Sequence, residues 1–252
     1  MKRCLYQFIV MLLSIGGVTA QNVTPPLTPQ SPVITEKSVT QNPLNNWSNQ
    51  LFISDVNGRP VVNRYPDISG SPYFNTEYKF ASVILENNKK FANIKMRLDL
   101  VAQEIYFIAS NGVEAFIEAG KVKEIAYYDT SSDGKIIAYK FQSGLPAIDK
   151  QTERNFYQLL AEGHCSFLKS SIKKISEKKS ELSGEVTKEF ETYENYYLFI
   201  NGEMKRLKKD KEFILAELAD KQAQMSQYIQ SQKLNPKNNE HLIKIINYYN
   251  TL

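Results

Sequence analysis

Six residues of this chain have the spacing of a cation-binding loop. In Asp129-Thr130-Ser131-Ser132-Asp133-Gly134, oxygen ligands fall at positions one, three and five, with glycine at six, as in a calcium loop. Position twelve, which needs a bidentate glutamate, is Lys140, and the segment lies between strands. A Ser/Asp/Gly turn forms without metal. Asp129, Ser131 and Asp133 are thus the one local metal candidate, set against an expectation of no metal and no cofactor. His164 and His241, the only histidines, lie in no metal or nucleophile motif. Cys165 reads as a small buried residue in a strand. Adjacent strand residues point to opposite faces, so His164 is badly placed to be its base. Gly-x-Ser-x-Gly, His-Glu-x-x-His, Walker and dinucleotide signatures are all missing. These readings lean away from an enzyme. The alternative is a hydrolase of envelope glycans or peptides whose carboxylates meet only in the fold.

Binding chemistry is better represented. Basic residues cluster at Lys169, Lys173, Lys174, Lys178 and Lys179, and again at Lys205, Arg206, Lys208, Lys209 and Lys211. Side by side, the two clusters would form one positive face for an anionic polymer or headgroup. Interleaved Glu177, Glu181, Glu185, Asp210 and Glu212 give the opposing reading, an ordinary solvated surface. Tyrosine doublets stand at 127–128, 196–197 and 248–249. In a strand, one member of a doublet faces the core and the other is free to stack on a sugar ring or peptide. The candidate ligand or partner residues are Lys205, Arg206, Lys208, Lys209, Tyr196 and Tyr197.

The elements that must position them follow from turn signals and periodicity. Tyr78–Leu85, Phe91–Leu100, Glu104–Ala109, Val113–Ile117, Lys123–Tyr128 and Lys135–Phe141 read as strands. Turns at Asn87-Asn88, Asn111-Gly112 and Asp133-Gly134 punctuate them. Tyr157 to Lys169 and Tyr196 to Lys208 share Tyr, Leu, Gly, Leu and Lys at matching places, predicting two similar β-hairpins. Between them, Ile175 to Lys188 is charge-rich: a long exposed loop or a solvated extension of the hairpins. From Lys209, Phe213, Ile214, Leu218, Met225, Tyr228 and Ile229 recur at helical spacing. Asn235 as N-cap and Pro236 at N1 start a second helix with the stripe Leu242, Ile245, Ile246 and Tyr249.

The first twenty residues concern location. Lys2 and Arg3 precede an apolar run from Leu5 to Ile15, and Val18-Thr19-Ala20 sets small residues before Gln21. That is the layout of a secretory signal peptide with cleavage near Ala20, too short for a spanning helix. Residues 21–46, with Pro25, Pro26, Pro29, Pro32 and Pro43, read as a flexible tether. Loss of the leader lowers the formal charge from +4 to about +2, too little for a general nucleic-acid binder. It also leaves Cys165 without an internal disulfide partner. Asn22-Val-Thr24 and Asn46-Trp-Ser48 are formal glycosylation sequons.

With this leader, Ser71-Pro-Tyr-Phe-Asn-Thr-Glu-Tyr78, the paired hairpins and the closing Ile-Ile-Asn-Tyr-Tyr-Asn, the chain resembles uncharacterised secreted and periplasmic proteins of Bacteroidota-type bacteria. The resemblance implies location and architecture and carries no activity. The expected fold is α+β: an antiparallel curved sheet of nine or ten strands, domain 47–208, capped by a C-terminal two-helix hairpin, 209–252. The expected function is that of an exported, non-enzymatic binding or structural protein of the periplasm or cell surface. Its partner would be an unknown envelope component (protein, anionic polymer or glycan), with no nucleic acid and no transmembrane span in the mature chain.

Overall fold

Short alternating runs separated by Asn and Gly turns make strands and tight reversals. The structure is a computed structural model that describes residues 48, 50–51, 59–60, 64–131, 133–179, 181 and 184–252. The leader, most of the tether, both sequon asparagines and Trp47 lie outside the described residues. The strands are β1 (Arg59–Pro60), β2 (Ile68–Ser69), β3 (Lys79–Leu85), β4 (Lys90–Asp99), β5 (Glu104–Ile108) and β6 (Glu114–Ile117). They continue as β7 (Val122–Thr130), β8 (Ile136–Gln142), β9 (Tyr157–Ala161), β10 (Cys165–Lys179), β11 (Val186–Ile200) and β12 (Glu203–Arg206). Helices α1 (Lys211–Glu217), α2 (Gln222–Ser231) and α3 (Asn239–Tyr249) close the chain.

The α+β class holds, with one large sheet ordered β1-β6-β5-β4-β3-β7-β8-β9-β10-β11-β12. The fold differs from expectation in three respects, the first being a sheet of twelve strands in place of nine or ten. The sheet is mixed: Ile68 and Ser69 of β2 run parallel to Lys188 and Glu189 of β11. The expected helix from Lys209 to Lys233 also breaks into α1, a 3-10 turn (Ala219–Lys221) and α2. Leu218 leaves the helical region there, at φ −107° and ψ 39°. Ile214 and Leu218 are buried before the break, and Met225 and Ile229 after it. The polar residues between them contribute nothing to the core and tolerate the turn. Asp210 caps α1 by accepting the Phe213 N–H at 2.7 Å. The cap of α3 is Asn238, not Asn235: its side chain accepts the N–H groups of Glu240 and His241. Asn235 instead makes a local turn to the Lys237 N–H, at 3.0 Å, and donates its own N–H to His241 Nδ1.

Strand alternation sorts the apolar residues into three cores. Val83, Met96, Phe107, Ile117, Ile125 and Phe141 share the first, on β3–β8. Phe167, Leu198 and Ile200 meet Ile214, Met225, Leu242, Ile245 and Ile246 of the helices in the second. Each fully buried side chain of this kind contributes about 1.5–3 kcal/mol, which short helices cannot supply from propensity alone. On the opposite face of the same strands, Leu168 and Tyr197 pack with Leu145 and Tyr157 in the third. The two predicted hairpins are β9–β10 and β11–β12, and they lie side by side because β10 pairs with β11. The charge-rich segment between them extends both strands, from Lys179↔Val186 down to Cys165↔Ile200.

Candidate functional site

The positions expected to form one basic face divide between the two faces of the hairpin layer. On the helix side, Lys205 reaches Glu217 of α1 at 2.7 Å, which raises its pKa. Lys209 sits over the Tyr196 ring at 4.2 Å, and Lys208 approaches Phe213 at 5.9 Å. Lys169 pairs with Glu194 at 2.8 Å. Arg206, one residue after Lys205, points to the other face and engages Asp149 at 3.2 Å and Asn195 at 2.9 Å. Lys173 is drawn in to donate to the carbonyls of Ser71 (2.6 Å) and Tyr73 (3.0 Å), and burial lowers its pKa. Lys178 pairs with Glu189. No single cationic face results.

The tyrosine doublets diverge in the same way. Tyr127 enters the first core and Tyr128 stays outside, as alternation requires. Tyr196 and Tyr197 are both packed, against the expectation of an outward member, because helices cover one face and residues 145–151 the other. Tyr196 accepts a bond from Asn239 of α3 at 2.9 Å. Tyr197 is fully buried and donates to Asp149 and Gln151, and burial pushes its phenol well above the usual range.

The metal candidate is committed elsewhere. Asp129 accepts from Lys79 (2.8 Å) and Asn75 (3.2 Å), and the Lys79 bond lowers its pKa. Asp133 pairs with Lys135 at 2.6 Å and accepts from Ser131. The hairpin turn uses Ser131 and Asp133, and Lys79 and Asn75 outside it hold Asp129. Cys165 opens β10 fully buried, its thiol pushed up to about 12 by burial, far from nucleophilic.

What the fold does assemble is a cleft of about 460 Å³ where residues 149–151 meet β10, β11 and β12. Ile148 and Gln151 exchange backbone bonds across a two-residue turn, which holds Asp149 at φ 53° and leaves Lys150 exposed at its tip. Aspartate tolerates that left-handed geometry better than most residues. The turn forms the wall. Ile172, Tyr193 and Asn195 form the floor, and Lys174 and Arg206 the rim. Tyr193 is 40 % exposed, with Lys174 Nζ 5.0 Å from its ring centre. Its hydroxyl donates to Glu191 at 2.7 Å, which fixes the ring. Three cations against one carboxylate, Asp149, which Arg206 already pairs, leave the cleft net positive, and with the exposed Tyr193 ring and Ile172 it can hold an anionic group attached to something flat or extended. Arg206 and Lys174 were visible as basic residues in the sequence. Tyr193 was missed, although Tyr193-Asn195-Tyr197 alternates on one face and could have revealed it. Asp149 and Lys150 belong to a distant loop and carried no signal.

A larger cleft of about 750 Å³ lies at the turn between β6 and β7. Glu86, Glu118 and Glu153 balance Lys121, Lys123 and Arg154 there, and no aromatic side chain lines it, so it has neither net charge nor a stacking surface.

Two carboxylates do face each other across β4 and β5, Asp99 and Glu104. Asp99 is fully buried and accepts from the N–H groups of Val101 (2.7 Å) and Ala102 (3.0 Å) and from the Tyr65 hydroxyl (2.8 Å). Glu104 is bonded to Arg64 at 2.6 Å, yet burial raises its pKa. Nearby, Arg97 lies 3.7 Å from the Tyr73 ring centre and 4.6 Å from that of Tyr78, and bonds Glu114 at 2.8 Å. This cluster fastens residues 64–78 across the sheet and leaves the two acids roofed over. No protein-family model matches the chain, and no curated protein or solved structure matches it significantly.

Proposed function

We infer that this is an exported protein of the cell envelope that acts by binding, and that the Arg206–Tyr193 cleft takes an anionic chain. The observation that carries the reading is the convergence of Lys150, Lys174 and Arg206 around the exposed Tyr193 ring. The leader-like residues 1–20 and the resemblance to secreted Bacteroidota-type proteins supply the location, periplasm or cell surface. No helix among the described residues is long and apolar enough to cross a membrane. Against the hydrolase alternative, the glutamates of the larger cleft are balanced by Lys121, Lys123 and Arg154, and the pair that faces across β4 and β5 is Asp99 with Glu104. Their enclosure under Tyr65 and Arg64 favours binding over catalysis.

The test is titration of the purified protein with polyglutamate and with polygalacturonate, followed by fluorescence anisotropy at two salt concentrations. We expect binding of at least one polyanion that weakens with salt, and about tenfold or more on joint Lys174→Gln and Arg206→Gln substitution. Equal binding by the substituted protein would remove the cleft from the account. Lys205→Gln and Lys208→Gln, on the other side of the layer, should leave affinity unchanged.

A further inference from the structure

We propose that the partner taken by this cleft is an extended polypeptide segment, which adds as a strand to the open edge of β11 and places an acidic side chain against Arg206. The proposal rests on the reading of the cleft as a binding site and adds the class of partner.

The edge of β11 is covered at both ends and open in between. At one end β2 pairs with Lys188 and Glu189. At the other, β12 pairs with Tyr197 to Ile200, and the Leu207 N–H reaches the Tyr196 carbonyl at 2.9 Å. That last bond shows that the N–H and C=O of Tyr196 point away from β10. Backbone direction alternates along a strand, so those of Glu194 and Thr192 point the same way. The far side of the ladder agrees. Lys173, opposite Thr192, gives its N–H to Leu100 at 2.9 Å and not to β11. Among the described residues nothing bonds the outward groups of Thr192 and Glu194, and both residues are exposed. Four backbone groups therefore stand ready to pair with an added strand.

Edges are commonly blunted by charge. Here the strand's own carboxylates are engaged to the side of the open groups: Glu194 with Lys169 on the helix face, Glu191 with the Tyr193 hydroxyl. Arg206, the last residue of β12, pairs through Nη1 with Asp149 at 3.2 Å, yet its side chain stays 60 % exposed and its Nη2 leans along the gap to Asn195. A strand lying in the gap would place alternate side chains on the cleft face, beside Tyr193 and the Arg206 guanidinium. A carboxylate there gains a charge-assisted bond, whereas a basic residue would meet Lys174, Lys150 and Arg206. Main-chain bonds supply affinity and the cleft supplies selection.

The experiment compares three probes on the full protein: an extended peptide alternating glutamate with valine, the same peptide N-methylated on alternate amides, and polygalacturonate. The proposal expects the unmodified peptide to bind and methylation to weaken it about tenfold or more. Thr192→Pro should match that loss, since its lost N–H faces the gap and no β10 bond is removed. The methylated probe leaves the protein untouched, so the test does not depend on that variant folding. If both peptides bind equally and both weaken on Arg206→Gln, the cleft stands and strand addition is overturned. Binding of polygalacturonate alone would likewise overturn the polypeptide and keep the cleft. Binding of none of the three would overturn both.

Discussion

A buried amide is stable only when its oxygen and nitrogen both find partners, and Gln103 meets that demand across the molecule. Its Nε2 donates to the carbonyls of Leu100 (3.1 Å) and Ser171 (3.3 Å), and its Oε1 accepts the Phe156 N–H at 3.0 Å. The β4–β5 turn is thereby tied to β9 and β10. Replacing Gln103 with Met keeps most of the volume but strands these backbone groups. The expected cost is about 2–3 kcal/mol of unfolding free energy, read by urea denaturation. Asn250 plays a comparable part. Its side chain accepts the Cys165 N–H and donates to the Cys165 carbonyl, both at 2.8 Å, so the end of α3 completes the edge of the β9–β10 turn. A Cβ on Gly163 would stand 2.4 Å from the Asn250 amide carbon. Gly163→Ala should therefore displace Asn250 and cost about 1–3 kcal/mol in the same assay, while Gly112→Ala, with open space around it, should cost only the backbone strain of its φ of +78°.

At the scale of elements, helix ends and the long hairpin carry the clearest consequences. Asp210→Ala removes the cap of α1 and should cost about 1 kcal/mol, as should Asn238→Ala for α3, both measurable by thermal unfolding. The β10–β11 arm has two regimes. Near Cys165 and Ile200 it is packed on both faces, whereas toward Lys179 and Val186 its residues are exposed. Amide hydrogen exchange should be slow at residues 165–171 and fast at 176–179, where opening costs little burial. Most of the strands, the two hairpins and the helical end were legible in the sequence, because periodicity and Asn/Gly turns are local signals. The parallel β2–β11 contact was not, since two residues, Ile68 and Ser69, have no period to read. The cap of α3 was misplaced because Asn235 and Asn238 carry the same side chain, and only the turn geometry chooses between them. The site was half legible. Arg206 was singled out, but Lys205 beside it serves the opposite face, and a cluster of charges in sequence does not reveal how a strand divides it.

At the scale of the whole molecule, the fold buries or half-buries many of its phenols. Tyr106, Tyr157 and Tyr249 are pushed up to about 12 by burial, and Tyr65, Tyr78, Tyr127 and Tyr197 are raised as well. Unfolded phenols ionise near 10, so the folded chain holds these protons more tightly than the unfolded one. Their contribution to stability is complete below pH 10 and lost as pH rises from about 10 toward 12. Titration followed at 295 nm should show the buried phenols ionising together with loss of circular dichroism, in one cooperative step. Gradual ionisation of a folded protein would show that these rings are not enclosed.

The Arg206–Tyr193 cleft is the proposed place where a partner is held. The most direct measurement is an amide NMR titration with the glutamate–valine peptide. The prediction is a contiguous set of shifts over residues 192–196, with Lys150, Lys174 and Arg206, and little change at Lys205, Lys208 or the helices. Shifts centred on the helix face, or none at saturating peptide and none with polygalacturonate, would contradict it.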